Sequence, residues 1–392
     1  MPTAAYEVRE TQFDRSQAYL KASILRCGRK ESNSSTVVAT YLYSRKARAP
    51  NEKPLSETYL PIDRQKVDDL SNAPDAVTRF VNARSASAPL SPTTYLVAYR
   101  MAPSERVIPD GTVQFINDLL MVSSNDVYVP PTILFSEEDS RGQEQRASIY
   151  LSLLRRILQT KASSTHGRVV PGIVVPKFLA YSGMSSLFDA FHGEEVFPSF
   201  VSIDFGNSRI SDHGVQQKLA WVHRFYRSRK TRNYFIHGLR VRPRKRGMIP
   251  ADAEDMASFL SGVDSIGPVR RSAPATIPSF DWDSLVAFGR RDYSYDLVSQ
   301  SRDGGDLRDF LEANGIEPPV LSRRPTKRDA PYLSHTRDFN RYSVNSEGMR
   351  LFELALNRDS EGIRRLLSGK RGVGVAGQVR ERAAEGFLGD TA

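Results

Sequence analysis

The stretch FVSIDFGNSRISDHGVQQKLAWVHRFYRSRK, residues 200–230, predicts how the chain folds and where its chemistry lies. Its opening residues are β-branched and aromatic, which predicts a buried strand ending at Asp204. Because side chains alternate along a strand, Ser202 and Asp204 share one face of it. Gly206 lets the chain turn away into a helix. We therefore expect a strand that delivers a carboxylate to a site, followed by a helix with a basic exterior. The alternative for Asp204 is that it caps a helix or accepts loop amides.

The helix that follows Gly206 has the spacing of a single apolar stripe. The residues expected to be buried along it are Val215, Leu219, Val222 and Tyr226. The residues expected to point outward are Gln217, Arg224 and Ser228. One buried stripe is typical of a helix that covers a sheet.

Strands and helices alternate along the middle of the chain in units of about 30 to 40 residues. This order predicts a parallel sheet covered by helices. Six such units are visible and the flanking sections can add more, so an α/β fold with a (β/α)₈ barrel of TIM type is the leading expectation. An open doubly wound sheet is the alternative. Against it, no G-x-G-x-x-G follows a strand, and no phosphate-binding G-x-x-x-x-G-K-[ST] sequence occurs.

Three sections are predicted along the chain. Residues 1–90 form a mixed α/β front section, which ends near the Pro- and Ser-rich SASAPLSPTT. Residues 91–275 form the barrel body, and residues 276–392 form a loop-rich rear section with a terminal helix that opens at Ser346. The Gly-rich GKRGVGVAG, residues 369–377, is expected to be a flexible tail.

Several classes of protein are excluded by the composition. Cys27 is the only cysteine, so no intrachain disulfide can form, which fits the reducing cytoplasm where we expect the chain. No apolar run approaches the roughly 20 residues that a membrane-spanning helix requires, so no membrane partner is expected. The six histidines show no H-E-x-x-H spacing, and we expect neither a metal nor another cofactor.

Positive charge is concentrated in one segment. The chain carries 55 Lys and Arg against 45 Asp and Glu, a net charge of +10. Residues 224–246 hold ten cations, no acids and several interleaved aromatic residues. The ten cations are Arg224, Arg227, Arg229, Lys230, Arg232, Arg240, Arg242, Arg244, Lys245 and Arg246. This pattern predicts contact with DNA or RNA, because phosphate contacts supply much of the affinity for nucleic acids. The alternative is a solvated basic surface.

Two further carboxylates stand near predicted strands. Asp139 follows the strand of PTILF by four residues, and Asp264 begins a strand in GVDSIG. One carboxylate as nucleophile and another as base can split a bond at an anomeric carbon, so we expect catalytic roles for these two. His237 and Gly238 lie near a strand end, where they can reach a substrate. The alternative for each acid is a helix cap or a surface position, and for His237 a buried structural role.

Four segments together resemble tRNA-guanine transglycosylases and their DNA-modifying relatives. They are IDFGNSRISDHGVQQKLAWVHRFYRSRK, EEDSRGQEQ, YFIHGLR and PADAEDMASFLSGVDSIGPVRR, and they span roughly residues 130–275. The resemblance implies a (β/α)₈ enzyme that replaces guanine in a nucleic acid by a 7-deazaguanine. It also implies that Asp204 reads the purine, that Asp139 acts as the base, and that the turn at His237 and Gly238 touches the purine.

The chain departs from this family at two places. The family's nucleophilic Asp falls on Gly267 here, which leaves Asp264 as a displaced substitute. The family's zinc site of three cysteines and a histidine cannot form with Cys27 alone. A noncatalytic nucleic-acid-binding protein of a mobile element or modification system is therefore the competing hypothesis. A third is an enzyme in which the arginines hold the phosphates of a small ligand.

Overall fold

In a computed structural model of the chain, the described residues are 6–9, 13–14, 20–21, 24–28, 35–39, 42–43, 55–84, 93–122, 127–136, 138–163, 170–191, 198–229, 233–245, 247–268, 281–282, 285–299, 304–322 and 325–384. The strands are β1 (Tyr6–Arg9), β2 (Phe13–Asp14), β3 (Leu20–Lys21), β4 (Ile24–Gly28), β5 (Ser35–Ala39), β6 (Leu42–Tyr43), β7 (Ser56–Ile62), β8 (Thr93–Met101), β9 (Val127–Tyr128), β10 (Thr132–Phe135), β11 (Val170–Val175), β12 (Phe200–Asp204), β13 (Phe235–Val241), β14 (Ala251–Asp252), β15 (Ser265–Pro268), β16 (Val286–Gly289) and β17 (Ser294–Leu297). The helices are α1 (Arg64–Ser71), α2 (Pro74–Arg84), α3 (Asp110–Val122), α4 (Gln143–Ser163), α5 (Met184–Asp189), α6 (His213–Ser228), α7 (Glu254–Leu260), α8 (Gly304–Ala313), α9 (Tyr332–Leu356), α10 (Ser360–Leu367) and α11 (Val373–Ala384).

A nine-stranded sheet forms the centre of the described structure. Its strands lie in the order β10-β8-β9-β11-β12-β13-β15-β6, and β7 pairs with the other side of β8. All of its strand pairs are parallel. The prediction of an α/β fold with a parallel sheet is therefore confirmed.

The two strands β9 and β10 behave as one interrupted strand beside β8. Thr94 of β8 pairs with Val127 of β9, and Ala98 pairs with Thr132 of β10. Pro130 and Pro131 separate the two pieces. Proline has no N–H to give to the ladder, which explains the interruption. With β9 and β10 taken together, the strands of this sheet from β7 to β15 neighbour one another in chain order, and β14 belongs to another sheet.

One face of the sheet packs against helices. Val201 and Ile203 of β12 lie in the same apolar core as Leu219 and Val222 of α6. The predicted buried stripe of α6 is confirmed, because each of its four residues is less than a tenth exposed. Burial of side chains of this size contributes roughly 1.5–3 kcal/mol each, which is what fixes the helix on the sheet.

The other face of the sheet packs mainly on itself. Among the described residues, its apolar cluster comes from strands or from positions beside them and contains no helix residue: Leu55, Leu96, Val129, Val174, Phe200, Phe235 and Leu239, with Tyr59 against them. The rings of Phe200 and Phe235 stack with centroids 5.4 Å apart. We call this side of the sheet the inner face.

The rear of the chain differs from the sequence prediction. Ser346 lies within α9, which begins at Tyr332, so the expected helix start is wrong. Arg358, with φ of 57°, ends that helix region before α10. The expected flexible tail is also wrong over residues 373–377, because these residues begin α11, which packs against α6 and α7. The apolar residues Ala376, Val379 and Ala383 supply its buried stripe despite the neighbouring glycines.

The sheet also crosses the predicted section boundary at residue 90. Strands β6 and β7 come from the front section, yet they pair with β15 and β8 of the barrel body. No helix within the described residues is both long enough and apolar enough to cross a lipid bilayer.

Candidate functional site

Asp204 lies at the carboxyl end of β12, on the inner face shared with Phe200. Its side chain is 4% exposed. One carboxylate oxygen accepts the N–H of Gly206 at 2.9 Å and the Nε–H of Arg240 at 2.9 Å. The other oxygen accepts a hydrogen bond from Nη2 of Arg240. The carboxylate therefore faces a planar fork of two N–H donors.

Arg240 reaches Asp204 through an irregularity in β13. The pairing between β13 and β15 shifts register between Gly238 and Val241. Arg240 within this bulge has a left-handed backbone, with φ of 56°. A bulge can place two consecutive residues on one side of a strand, which explains why Leu239 and Arg240 both reach the inner face. Burial opposes the charge of the guanidinium, but Asp204 outweighs it and raises the pKa of Arg240.

Two lysines lie beside this ion pair. Lys218 of α6 donates hydrogen bonds to the carbonyls of Pro176 at 3.1 Å and Lys177 at 2.6 Å, just beyond β11. Burial lowers the pKa of Lys218 to about 8, against an opposing contribution from Asp204. Lys177 donates to the carbonyl of Gly206 at 3.2 Å. The carboxyl edge of the sheet therefore holds one buried carboxylate among three cations.

A row of polar side chains crosses the inner face at the level of Ser202, two residues before Asp204 on β12. Ser202 pairs with His237, and His237 pairs with Ser265, so the three lie side by side on β12, β13 and β15. Nδ1 of His237 is 2.7 Å from Oγ of Ser265. Nε2 of His237 is 3.0 Å from Oε2 of Glu57, on β7. The imidazole is thus held between a hydroxyl and a carboxylate, an arrangement suited to holding or passing a proton.

Glu57 fills the space that Gly267 leaves open. A Cβ atom at position 267 would lie 2.1 Å from Oε2 of Glu57, closer than any side chain tolerates. The Glu57 side chain is only 2% exposed. The chain therefore places a buried carboxylate from β7 beside the position where the family resemblance expects an aspartate.

Asp139 lies in the loop after β10 and is held there by hydrogen bonds. Arg141 donates to both of its carboxylate oxygens, and the backbone N–H of Arg141 donates to one of them at 2.9 Å. Arg141 also donates to the carbonyl of Glu105 at 2.7 Å, which ties this loop to the one after β8. The hydrogen bonds from Arg141 lower the pKa of Asp139. A carboxylate held in this way is poorly suited to the expected role of a base.

Asp264 lies at the other end of the sheet. It comes just before β15, and it accepts the N–H of Ile236 at 2.6 Å while its own N–H donates to the carbonyl of Ile236 at 2.8 Å. Ile236 pairs with Val201, three residues before Asp204 along the strand direction. At about 3.3 Å per residue this separates the levels of the two acids by about 10 Å. Asp264 therefore does not lie beside Asp204, as its expected catalytic role at the same site would require, and instead joins β13 to β15.

The remaining predicted residues divide between the two faces. Ser202 and His237 lie on the inner face with Asp204. Gly238 lies on the opposite face of β13, which packs against the helices. A Cβ at Gly238 would meet Val241 and Phe205, so this glycine serves close packing and is not directed toward the polar row.

The basic segment is partly engaged with its own protein. Arg224 donates to the hydroxyl of Tyr181, Arg227 lies 3.5 Å from the carbonyl of Ala383, and Arg240 pairs with Asp204. Arg229 lies over the ring of Phe225 and is exposed. Arg242 and Arg244 are half-buried and Lys245 is exposed. Lys230, Arg232 and Arg246 lie outside the described residues.

Within the described part of the chain, no group of three or more His, Cys, Asp or Glu side chains is placed to hold a metal ion. Glu57 is the residue that sequence reasoning missed. The only signal for it was a single acid in the alternating strand SETYLPI, and nothing in that pattern shows that it meets a histidine 180 residues away.

Several solved structures resemble the chain weakly. No protein-family model matches the chain, and no curated protein matches it. The biosynthetic arginine decarboxylase SpeA from Campylobacter jejuni is similar at 9% identity and a TM-score of 0.26, over 76% of this chain and 57% of the decarboxylase. The chain thus spans little more than half the length of that enzyme. Fructuronate-tagaturonate epimerase UxaE from Cohnella laeviribosi is similar at 8% identity and a TM-score of 0.26, over 96% of this chain and 95% of the epimerase. Neither likeness bears on the function of the chain.

Proposed function

We propose that the parallel sheet closes into a (β/α)₈ barrel whose inner face carries the site. The strands of this sheet neighbour one another in chain order from β7 to β15, and β6 follows β15. The apolar residues of the inner face pack on one another, with no described helix residue between them. Glu57 on β7 also meets His237 on β13, although these strands are not neighbours in the sheet. These contacts favour a closed ring over an open doubly wound sheet, whose faces are both covered by helices.

In this proposal the chain is a transglycosylase-like enzyme that exchanges guanine or a 7-deazaguanine in DNA or RNA. The observation that carries it is the pair formed by Glu57 and His237 beneath Asp204. A carboxylate that reads a purine edge and a second carboxylate beside a proton-carrying group are the two components that the reaction requires. Both lie on the inner face, with Asp204 at the carboxyl end of β12, where barrel enzymes bind substrates, and Glu57 deeper, near the amino end of β7.

The proposed reaction uses Glu57 in place of Asp264. An oxygen of Glu57 bonds to C1′ of the nucleotide as the bond from C1′ to the base nitrogen breaks. His237 supplies the proton that the departing base takes up. The incoming base then bonds to C1′, releases Glu57 and returns a proton to His237. Asp204 holds the purine by its donor edge throughout.

The basic segment supports a polyanionic substrate. Of the exposed cations in this segment, Lys245 lies just beyond the carboxyl end of β13, whereas Arg227 and Arg229 end α6, before the amino end of β13. In parallel barrels the carboxyl end of a strand is also where the loop to the next helix begins. Phosphates of a nucleic acid can therefore lie along Lys245 while one nucleotide enters the inner face.

The test is incorporation of labelled guanine into tRNA and into duplex DNA. Wild-type protein is expected to incorporate label, and Asp204→Asn is expected to lose most of this activity. Asp118→Asn is the matched control, because Asp118 is an exposed carboxylate on α3. Absence of incorporation by folded wild-type protein on both substrates would contradict the proposal.

A second function is favoured by the partners of the predicted acids. Asp139 and Asp264 are both engaged in backbone or arginine contacts, which is what a barrel that has kept binding and lost catalysis would show. This noncatalytic hypothesis predicts salt-sensitive binding of nucleic acid together with no incorporation of guanine by any variant.

A further inference from the structure

The carboxylate of Asp204 is bound by the planar guanidinium of Arg240. The Nε and Nη2 atoms of Arg240 are bonded to one carbon and point their hydrogens the same way, one to each carboxylate oxygen. Such fork-to-fork pairing combines two charge-assisted hydrogen bonds, each stronger than a hydrogen bond between neutral groups. The guanidinium nevertheless remains 22% exposed, whereas the carboxylate beneath it is 4% exposed. Arg240 therefore lies over Asp204 on the side open to solvent.

This pairing is formed at a cost to the backbone. Non-glycine residues with positive φ are uncommon, and they concentrate at sites where the surrounding structure enforces them. Arg240 has φ of 56° and lies in the β13 bulge. Its carbonyl accepts the N–H of Asn207 at 3.1 Å, so the turn after β12 holds it in place.

We propose that Arg240 is an internal occupant of a ligand subsite at Asp204, and that this subsite takes a planar ligand edge with two adjacent N–H donors. The inference rests on the proposed function and extends it to the control of the same site. Guanine presents such an edge through N1–H and the 2-amino group, whereas adenine does not. A guanine-type base competes with the guanidinium for the same two oxygens, so Arg240 sets both the affinity and the selectivity of the site.

The energetic consequence is a reduced apparent affinity in the wild-type protein. A ligand that binds only when Arg240 has left Asp204 has its affinity lowered by the fraction of molecules in that state. Removing the guanidinium removes this reduction. Arg240→Gly is suitable for this purpose, because glycine adopts positive φ without strain. Arg308→Ala is the matched control, since it removes an arginine that pairs with a carboxylate, Glu312, away from Asp204.

Two probes test the subsite. Equilibrium dialysis with labelled guanine, and with adenine for comparison, measures the dissociation constants of wild type, Arg240→Gly, Arg308→Ala and the double variant Arg240→Gly/Asp204→Asn. Thermal unfolding with millimolar methylguanidine tests the same carboxylate with a donor fork that is independent of base exchange. Arg240→Asn repeats both measurements if the glycine variant does not fold, because asparagine also tolerates positive φ.

The expected result is that Arg240→Gly binds guanine at least about tenfold more tightly than wild type, with no gain for adenine and none in the double variant. Methylguanidine should raise the unfolding temperature of Arg240→Gly and leave wild type unchanged. If methylguanidine does so while guanine binds to no variant, the subsite stands and the guanine function is contradicted. If Arg240→Gly gains affinity for neither probe, the inference is overturned, whatever exchange activity the wild type shows.

Discussion

Nε2 of His237 lies 3.0 Å from Oε2 of Glu57, although 180 residues separate them in the chain. The contact joins β7 to β13 across the inner face, and both side chains are almost fully buried. Burying a carboxylate without a partner costs free energy. Moving β7 away from β13 would leave Glu57 unpaired, so the pair favours keeping the two strands in contact. Gly267 leaves room for this pair, because any side chain at position 267 would displace Glu57.

Gly267→Ala is expected to destabilise the protein by roughly 1–3 kcal/mol through overpacking against Glu57. In Glu57→Ala/Gly267→Ala the collision is gone, so the double variant should lose less stability than the sum of the two single changes. Urea unfolding of the four proteins measures this coupling. Strict additivity would show that position 267 and Glu57 do not share the space.

Asp139→Asn is expected to cost roughly 1.5–3 kcal/mol at pH 7, because Arg141 loses its charged acceptor. The hydrogen bonds from Arg141 lower the pKa of Asp139 in the folded state, so this stabilisation is present above the ordinary Asp pKa of about 4. It disappears as the pH falls through the lowered pKa. Urea unfolding between pH 7 and pH 3 should therefore show the difference between wild type and variant shrinking with acid. A constant difference would contradict the assignment.

Lys218→Met should remove a destabilising contribution that depends on pH. Burial lowers the folded-state pKa of Lys218 to about 8, below its usual 10.5, so the unfolded chain binds more protons between these values. Wild-type stability should therefore rise relative to the variant, by roughly 2 kcal/mol, as the pH increases from 7 to 10. The measurement is the difference in unfolding free energy at each pH. A flat difference would mean that the ammonium group is as well solvated in the fold as outside it.

Lys245 of the basic segment should contribute to the salt dependence of nucleic-acid binding. Replacing Lys245 by glutamine is expected to lower the slope of log K against log salt by about 1, because it removes one phosphate contact. Exposed Arg308, paired with a glutamate on its own helix, provides a control variant with one cation removed elsewhere. Equal slopes for all three proteins would argue that this segment does not carry the nucleic acid.

The strands and helices of the central sheet are largely predictable, because short runs of sequence specify each element and the face that it buries. The alternation in FVSID and the stripe from Val215 to Tyr226 specify a strand, a helix and the faces that they bury. The rear section is harder for the same reason. In residues 373–384 the valines, alanines and glycines of VGVAGQVRERAA give no strong helical signal, and α11 is stabilised by packing on α6 and α7.

The site is less predictable because its contacts are long-range. Asp204 and His237 could be placed on their strands from period alone, but their partners could not. Whether Asp204 meets a substrate or Arg240 depends on a bulge in β13 and one left-handed residue. Whether Asp264 faces the same end as Asp204 depends on strand register, and a shift of a few residues moves an acid by about 10 Å.

Incorporation of labelled guanine by Glu57→Gln and Asp264→Asn, measured side by side with wild type, tests most directly where the reacting carboxylate lies. Both changes keep a side-chain oxygen as acceptor, which at position 264 preserves the hydrogen bond from the N–H of Ile236. We expect Glu57→Gln to lose at least about a hundredfold in rate, as removal of a nucleophile should, and Asp264→Asn to keep most of the wild-type rate per folded molecule. Retained activity in Glu57→Gln together with loss in Asp264→Asn would contradict the account.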